Sequence, residues 1–483
     1  MRRYTIVFLL ALTTLQCARP RPEPEYLGPV FGPGPRRVVV VSLDCLRADH
    51  LGCYGYPQPT SPRLDALCED SVRFARATAP YNWTLPSHTS LFTGLYARGH
   101  GVRKENQAVS PEIPNLVEPL REAGFATAAF TGGAYMARRY GHARGFDTFW
   151  SSEEDYLQWA EILERGEDWL TDHADEDAFL FLHTYEIHMP YQPPIKYLRE
   201  ILGYHRTKFM GGVREVQNYL TGAPPEIAVE VVGRYDAGIL YTDDLLGGFI
   251  ARLDAAGLAD NMLLIVTSDH GEAFWEHGRW GHNGDLLGPQ LTDVPLIVRL
   301  PRTVFPAFAG KIVEDEVSFL DIMPTVLDAV GVEPGSDIDG FSLLPELIGR
   351  PVNVADAEAR ERRTVKIDGD ETLLGLCESR NYVSLRAGGW SVVVPGPTSA
   401  DIDTLGGAVP YQVGIDTRAW PALYRIAQDP WELEPLPLEG KTAAALSAAA
   451  ARLAGRPGER DAAPSEIQIP PGLRRRLQAL GYL

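Results

Sequence analysis

The chain has 483 residues, of which 45% are hydrophobic and 23% charged, an ordinary globular composition that excludes a disordered, collagenous or multi-span membrane protein and leaves room for more than one folded unit. Lys and Arg number 45 against 64 Asp and Glu, a formal charge of -19, which lacks the basic footprint of sequence-independent nucleic-acid binding; an anionic substrate must be held by local donors or a metal, and no nucleic-acid partner is expected. The five cysteines (Cys17, Cys45, Cys53, Cys68 and Cys377) are odd in number and form no CxxC pair, which argues against a zinc finger or a disulfide scaffold.

The N-terminus reads as a targeting segment. Arg2 and Arg3 precede a short apolar run, Ile6 to Leu12, and then a polar break. That is the pattern of a signal peptide, too short to span a membrane as a mature helix. Cys17 stands where a bacterial lipoprotein carries its acyl chains. Residues 1–17 are therefore expected to be a lipoprotein-like signal, with free secretion as the alternative. The expected location is extracytoplasmic, in a bacterial periplasm or cell envelope, with the membrane reached only through a lipid anchor. Residues 18–36 are rich in Pro and Gly without periodicity and read as a linker.

Folded structure is expected from Arg37. Arg37 to Asp44 is a continuous β-branched run ending in a carboxylate, as in a strand buried on both faces of a parallel sheet. Met262 to Asp269 repeats the pattern, and Ala178 to His183 and Val294 to Val298 are further apolar runs, with Ala126 to Phe130 and Phe146 to Phe149 as shorter ones. Helical spacing appears in Ser61 to Asp70, Ser87 to Leu95, Asn115 to Ala123, Tyr156 to Asp172, Pro225 to Ala256 and Phe319 to Val330. Strands alternating with helices predict an α/β fold with a large, mostly parallel sheet flanked by helices over 37–364. From about 365 to 483 the pattern changes. Asn381 to Leu385, Trp390 to Val394 and Ala422 to Ile426 predict a small antiparallel sheet, followed by an Ala-rich helix over 440–455 and a helical tail, Leu473 to Leu483.

In open α/β sheets ligands bind beyond the carboxyl ends of the strands. Asp44 and Asp269 both occupy such ends, and His270 follows the second. One strand-end Asp is usually a cap or turn residue; two, with an adjacent His, suggest convergence on one site. Four segments carry the chemistry-bearing residues: Asp44-Cys-Leu-Arg-Ala-Asp49-His50, Trp83-Thr84-Leu-Pro-Ser-His88, Tyr185-Glu-Ile-His188-Met-Pro, and Asp269-His270-Gly-Glu running on to His277 and Trp-Gly-His282.

These segments, in this order, resemble the sulfatase family of the alkaline-phosphatase superfamily, from Arg37 to about Gly340. The blocks around Pro324-Thr325, Asp339 to Pro345 and Tyr424 to Pro430 are similar to further family blocks. The resemblance implies that Asp44, Thr84, Asp269 and His270 hold one divalent metal ion, that Thr84 is the nucleophile, and that His88, His188 and His282 meet the substrate, the last two also as proton donors to the leaving group; His88, at the family's Arg position, is alternatively expected to steady the nucleophile. Sulfatases place at the Thr84 position a cysteine that is oxidised to formylglycine, followed by x-Pro-Ser-Arg; here the segment is Thr-Leu-Pro-Ser-His88, so that nucleophile cannot form. Thr is what phospho-transferring relatives carry. The family's paired Asp becomes Asp44-Cys45, its Gly-Lys-Trp-His segment is matched by Thr131-Gly132-Gly133, and its later Lys falls at His282.

A Thr hydroxyl is a feeble nucleophile unless a metal or base ionises it. Three oxygens and one imidazole favour Mn²⁺ or Zn²⁺ over Ca²⁺, with Mg²⁺ still open. Cys45 reads as a buried small hydrophobe, and Asp49 and His50 as residues that shape the turn. A second metal, as in the nucleotide pyrophosphatase relatives, would need His277 and His282, and His282 is assigned to the substrate. The expected function is a metal-dependent hydrolase of phosphate mono- or diesters acting through Thr84. The alternatives are a sulfuric-ester hydrolase working without formylglycine, a phospho-group transferase to an envelope lipid or glycan, and a binding protein with a relict site. Oligomeric state is left open.

Overall fold

A computed structural model describes residues 28–480, apart from 153–158, 204–210, 283–286, 396–421, 455–462 and scattered single or paired positions between 220 and 438. The expected signal segment, Cys17 and the first part of the expected linker lie outside the described residues, as do Tyr156 to Gln158 of one expected helix. The rest of the linker is not free of the fold. Val30 and Phe31 are buried in the core, and Gly32 N donates to Asn261 Oδ1 at 2.9 Å. Folded structure therefore begins before Arg37.

The valine run explains the centre of the molecule. Arg37–Leu43, Ala178–Thr184 and Met262–Thr267 are buried along their whole length and pair in parallel, with Arg37–Leu43 in the middle. A strand buried on both faces needs apolar side chains at every position. Val38 and Val40 pack with Phe179, Phe181 and Ile265 on one face, while Val39 and Val41 pack with Leu180, Leu182 and Val266 on the other. Each such side chain contributes roughly 1.5–3 kcal/mol on burial. Thr84–Thr93, Val117–Glu122 and Ile322–Val330 cover the first face; Pro62–Cys68, Trp159–Asp172 and the long helix Pro225–Ala255 cover the second.

Eight strands form this sheet, in the order Lys311–Ser318, Val72–Thr78, Asp293–Arg299, Met262–Thr267, Arg37–Leu43, Ala178–Thr184, Ala126–Thr131 and Thr148–Ser151. Asp293–Arg299 runs against both of its neighbours, and the other pairings are parallel. Pro295 lacks a donor, and the register of this reversed strand shifts between Val294 and Leu296. Two strands escape the sequence pattern, Val72–Thr78 and Lys311–Ser318. They alternate core residues such as Val72, Phe74 and Val317 with charges such as Arg76 and Glu314, which pair across the sheet edge.

The C-terminal part is a four-stranded antiparallel sheet ordered Gly375–Glu378, Tyr382–Ala387, Trp390–Pro395 and Ala422–Arg425. Ala443, Leu446 and Ala449 of the helix Gly440–Ala454 cover it. The final helix, Pro471–Ala479, does not stay with this sheet: Leu473, Leu477 and Leu480 pack against Leu85, Tyr135 and Tyr185 of the large unit. Among the described residues no helix is long and apolar enough to cross a membrane.

Candidate active site

The two central strands deliver their terminal carboxylates side by side. Asp44 N donates to Thr184 O at 3.1 Å, which prolongs the pairing one residue past the strand. The turns after the two strands are stitched together: Leu46 N donates to Ser268 Oγ (2.9 Å), and Ser268 Oγ donates to His270 O (2.8 Å). Cys45 turns the chain with a left-handed φ of 63°, a backbone that non-glycine residues rarely adopt and that recurs at functional sites. Arg47 then forks onto Asp49, and His50 Nδ1 lies 2.7 Å from Asp236 Oδ1, so these residues shape the turn as the sequence suggests.

Thr84 is the first residue of the helix Thr84–Thr93, three residues earlier than the sequence pattern places the helix start. Its hydroxyl thus lies in the first turn, where unpaired N–H groups favour negative charge. Ser87 Oγ donates to Asp269 O at 2.7 Å and pins that turn to the second strand end. Thr84 Oγ1 donates to Asp44 Oδ2 at 3.1 Å and lies 3.3 Å from His270 Nε2. Asp44, Thr84, Asp269 and His270 are all fully buried.

Burial, aided by the neighbouring Asp269, pushes the Asp44 carboxyl well above its ordinary range. Burial works on Asp269 in the same sense, but the imidazoles of His270, His88 and His183 outweigh it and hold this carboxyl below the usual range. Burial lowers His270 to about 4, so it is a neutral imidazole with a lone pair to give. Asp269 Oδ2 is buried without a hydrogen bond, and among the described residues no Lys or Arg pairs with either carboxylate. Two abutting carboxylates without a cation are costly. Asp44, Asp269 and His270 bring one ligand atom each within 4.8 Å of one another. Two carboxylates, an imidazole and a hydroxyl therefore fit a divalent metal ion.

Beside this acidic half lies an imidazole half. His282 Nδ1 is 2.9 Å from Glu272 Oε1, and Tyr191 OH donates to Glu272 Oε2 at 2.9 Å. His188 Nδ1 is 2.5 Å from Met189 O. The His282 ring centroid is 5.0 Å from that of His188 and 4.5 Å from that of His270. Burial lowers His188 to about 3 and His282 to about 4. Cys45 joins the two halves. Its Sγ donates to Asp44 Oδ1 at 3.1 Å and lies 3.8 Å from His270 Nδ1 and 3.7 Å from His282 Nδ1. Reading Cys45 as a buried apolar filler captures its burial but misses this contact with the site. Burial and the adjacent carboxylates push its thiol well up, so it acts as a donor.

His88, expected among the substrate contacts or steadying the nucleophile, is placed against the nucleophile's own turn. It lies one helical turn beyond Thr84, where its ring sits beneath the first turn. Nδ1 is 3.0 Å from Thr84 O and 3.3 Å from Asp269 Oδ2, and Nε2 is 3.0 Å from Ser42 Oγ. It braces Asp269 and the Thr84 backbone from behind. His277 is half-buried beside the hairpin strands Ala273–Phe274 and Trp280–Gly281 and belongs to none of the clusters of close ligand atoms. At Gly132 a Cβ would meet Tyr185 Cδ2 at 2.8 Å, so an aromatic wall stands beside the position of the family's basic segment.

Sequence reasoning passes over Glu272, Ser42 and His183, whose Nε2 is 3.3 Å from Asp44 Oδ2. His183 and Ser42 close apolar runs and so read as strand residues. Their signal is their position, polar and at a strand end, like Asp44 itself.

The mostly parallel α/β sheet with acids at its strand ends is a fold of the alkaline-phosphatase type, and the family match makes the chain a hydrolase of ester bonds. The sulfatase family profile matches residues 36–332, and the chain belongs to the sulfatase family. It is 24% identical over 361 residues to an uncharacterised sulfatase of Escherichia coli, covering 63% of this chain and 69% of the other. It is 26% identical over 364 residues to the N-acetylgalactosamine-6-sulfatase of Rattus norvegicus, covering 66% and 68%. The fold is similar to that of the phosphonate monoester hydrolase of Agrobacterium radiobacter, with a TM-score of 0.61, 21% identity and coverage of 90% of this chain and 100% of that one. A structure solved with its substrate D-glucosamine-2-N,6-O-disulfate overlays with a TM-score of 0.67 at 16% identity, covering 89% and 100%.

Proposed function

We propose that this sulfatase-family hydrolase cleaves phosphate mono- or diesters through Thr84 as covalent nucleophile. The observation that carries the reading is the Thr84 hydroxyl in the first helical turn, 3.1 Å from Asp44 Oδ2 and 3.3 Å from His270 Nε2, where the family's formylglycine would stand. A single divalent ion held by Asp44, Thr84, Asp269 and His270, Mn²⁺ or Zn²⁺ by the mixed donor set, would supply Lewis acidity that makes the hydroxyl a competent nucleophile. Asp44 accepts the Thr84 proton hydrogen bond and orients Oγ1. Attack on phosphorus forms the Oγ1–P bond as the Thr84 proton passes to Asp44, and expels the alcohol, whose oxygen takes a proton from His188 or His282 in the imidazolium form that the bound anion favours. Water then opens phospho-Thr84. The helix N-terminus and both imidazoles face the anionic group, and burial of the site excludes bulk water.

The substrate is an anionic ester, and nucleic acid is not a partner of so acidic a chain. Export to the bacterial cell envelope, with Cys17 as a lipid anchor, belongs to the same reading. A sulfuric ester is the second reading, favoured by the relatives whose names are those of sulfatases. Aryl phosphate, phosphonate and sulfate esters, assayed side by side with Mn²⁺, Zn²⁺, Mg²⁺ and Ca²⁺, separate the two. The expected result is turnover of phosphate esters and an acid-trapped phosphate on Thr84 by mass spectrometry. Turnover of sulfate esters alone refutes the phosphoryl reading. In Thr84→Ala turnover should fall by about 10³-fold or more with the fold unchanged; activity within a few-fold of wild type would remove Thr84 as the nucleophile.

A further inference from the structure

The described cysteines fall into two kinds. Cys45 and Cys377 are fully buried, whereas Cys53 and Cys68 are half-buried. Cys53 sits in the short turn Gly52–Tyr54, which continues the loop that carries Asp44 and Arg47, and Cys68 ends the helix Pro62–Cys68. These two segments are locked together by the backbone. Gly52 N donates to Ser61 Oγ (2.9 Å), Cys53 N to Asp65 Oδ1 (2.7 Å), and Ser61 Oγ to the same Asp65 oxygen (2.9 Å). Asp65 lies three residues before Cys68, on the same helical face. The carboxylate that holds Cys53 N therefore brings Cys53 beside Cys68. The neighbouring Cys68 is the main cause that holds the Cys53 thiol well up, and both side chains rest on the edge of the same core. Both line one surface groove with Asp65 and Arg73, so a reagent in solution reaches them.

We propose that Cys53 and Cys68 form an intrachain disulfide when the folded protein meets an oxidant of the disulfide class. One thiolate attacks the oxidant's S–S bond, giving a mixed disulfide and releasing one oxidant thiol. The second thiolate displaces the other. A Cys53–Cys68 S–S bond forms, the oxidant's S–S bond breaks, and two electrons and two protons end on the oxidant's two thiols. The bond ties the turn after the first strand to the helix beside it. It fixes the loop leading out of Asp44 without touching the groups that meet substrate. Cys45 and Cys377, enclosed in the core, stay reduced.

The full-length chain, purified under reductant and then incubated with oxidised glutathione, provides the test. Non-reducing peptide mass spectrometry should find Cys53 linked to Cys68. Two thiols per chain should disappear from a titration in denaturant, and Tm should rise by roughly 2–5 °C and fall back with dithiothreitol. Cys68→Ala should lose both the link and the shift while keeping its ester hydrolysis. The proposal is overturned if both thiols still alkylate fully under conditions that oxidise a control dithiol, or if Cys53 is recovered joined to glutathione, to Cys45 or to a second chain. The wild-type peptide map decides even if the variant does not fold.

Discussion

The molecule holds two buried polar clusters built on opposite principles. At the seam between the large sheet and the C-terminal part, each acid meets a guanidinium: Arg363 Nη1 lies 2.5 Å from Asp321 Oδ1, Arg386 Nη2 lies 2.8 Å from Glu432 Oε1, and Arg98 Nη1 lies 3.1 Å from Glu378 Oε1. Asp321 also accepts from Ser318 N and Phe341 N, which satisfies its remaining lone pairs. At the strand ends, Asp44 and Asp269 face each other with imidazoles, the Thr84 hydroxyl and the Cys45 thiol around them and, among the described residues, no guanidinium or ammonium. The first cluster pairs its acids with guanidinium groups, Arg386 serving both Glu432 and Asp293, and holds two parts of the chain together. The second gathers two carboxyls with no guanidinium or ammonium beside them among the described residues, an arrangement that a cation relieves. Burial alone does not distinguish glue from site; the balance of charge does.

Substitutions should therefore act oppositely in the two places. Asp269→Asn should remove the bound divalent metal and with it the activity, by about 10³-fold or more, a loss of metal and turnover rather than of the fold. Arg363→Met should do the reverse. It strands Asp321 in the core and costs about 3–5 kcal/mol of stability, with metal content at wild-type level in the folded fraction. Elemental analysis and urea unfolding of both variants check the pair. If Asp269→Asn keeps its metal, or if Arg363→Met is as stable as wild type, the contrast fails.

One seam carboxylate breaks the pairing rule and sharpens it. Glu316 is buried with its nearest guanidinium, Arg76 Nε, 4.0 Å away, and burial lifts it from 4.5 to about 7. A raised acid keeps its proton in the folded chain over a range where the unfolded chain has lost it. Its effect on stability is thus absent below pH 4.5, grows unfavourably as pH rises to 7, and is constant above, reaching about 3 kcal/mol. Glu316→Gln removes that loss. The variant should match wild type at pH 4 and exceed it by up to about 3 kcal/mol at pH 8. Denaturant melts giving equal differences at both pH values would show that Glu316 is ionised in the fold.

How far the sequence discloses these clusters follows from what each depends on. Asp44 and Asp269 are legible because runs of β-branched residues mark central strands, and central parallel strands put their last residues at one edge. Thr84 and His270 follow from their segments. Which of its two expected roles His88 is placed for is not legible in the sequence, because only the helix start, at Thr84 rather than Ser87, shows which way the next turn faces. The seam is invisible in advance. Arg363 and Asp321 lie far apart in the chain and meet only through tertiary packing, and strands such as Lys311–Ser318 hide their core residues among charges. The final helix against Tyr185 is likewise a matter of docking, which no local pattern records.

The smallest expected effects lie in the imidazole half, where the comparison becomes local: in the proposed mechanism His282 faces the reacting group, and Glu272 acts through His282. Glu272 Oε1 receives Nδ1, which fixes the ring and directs Nε2 to the opposite side, and Tyr191 holds the other carboxylate oxygen. His282→Gln should lower turnover by roughly 10²-fold, the scale for losing a donor to the transition state, without releasing metal. Glu272→Gln keeps the shape and one acceptor but loses the charge, and should cost roughly 10-fold, near the lower bound for partners that orient a working imidazole. The two losses should not multiply: in the double variant, Glu272→Gln should add little, because the ring it orients is gone. They should also differ with leaving group. An alcohol that departs without protonation should be nearly indifferent to Glu272, and a poorly departing alkyl group should feel its full loss. Multiplicative losses across the series, with no dependence on leaving group, would make Glu272 a packing residue of the pocket wall and leave His282 to act without it.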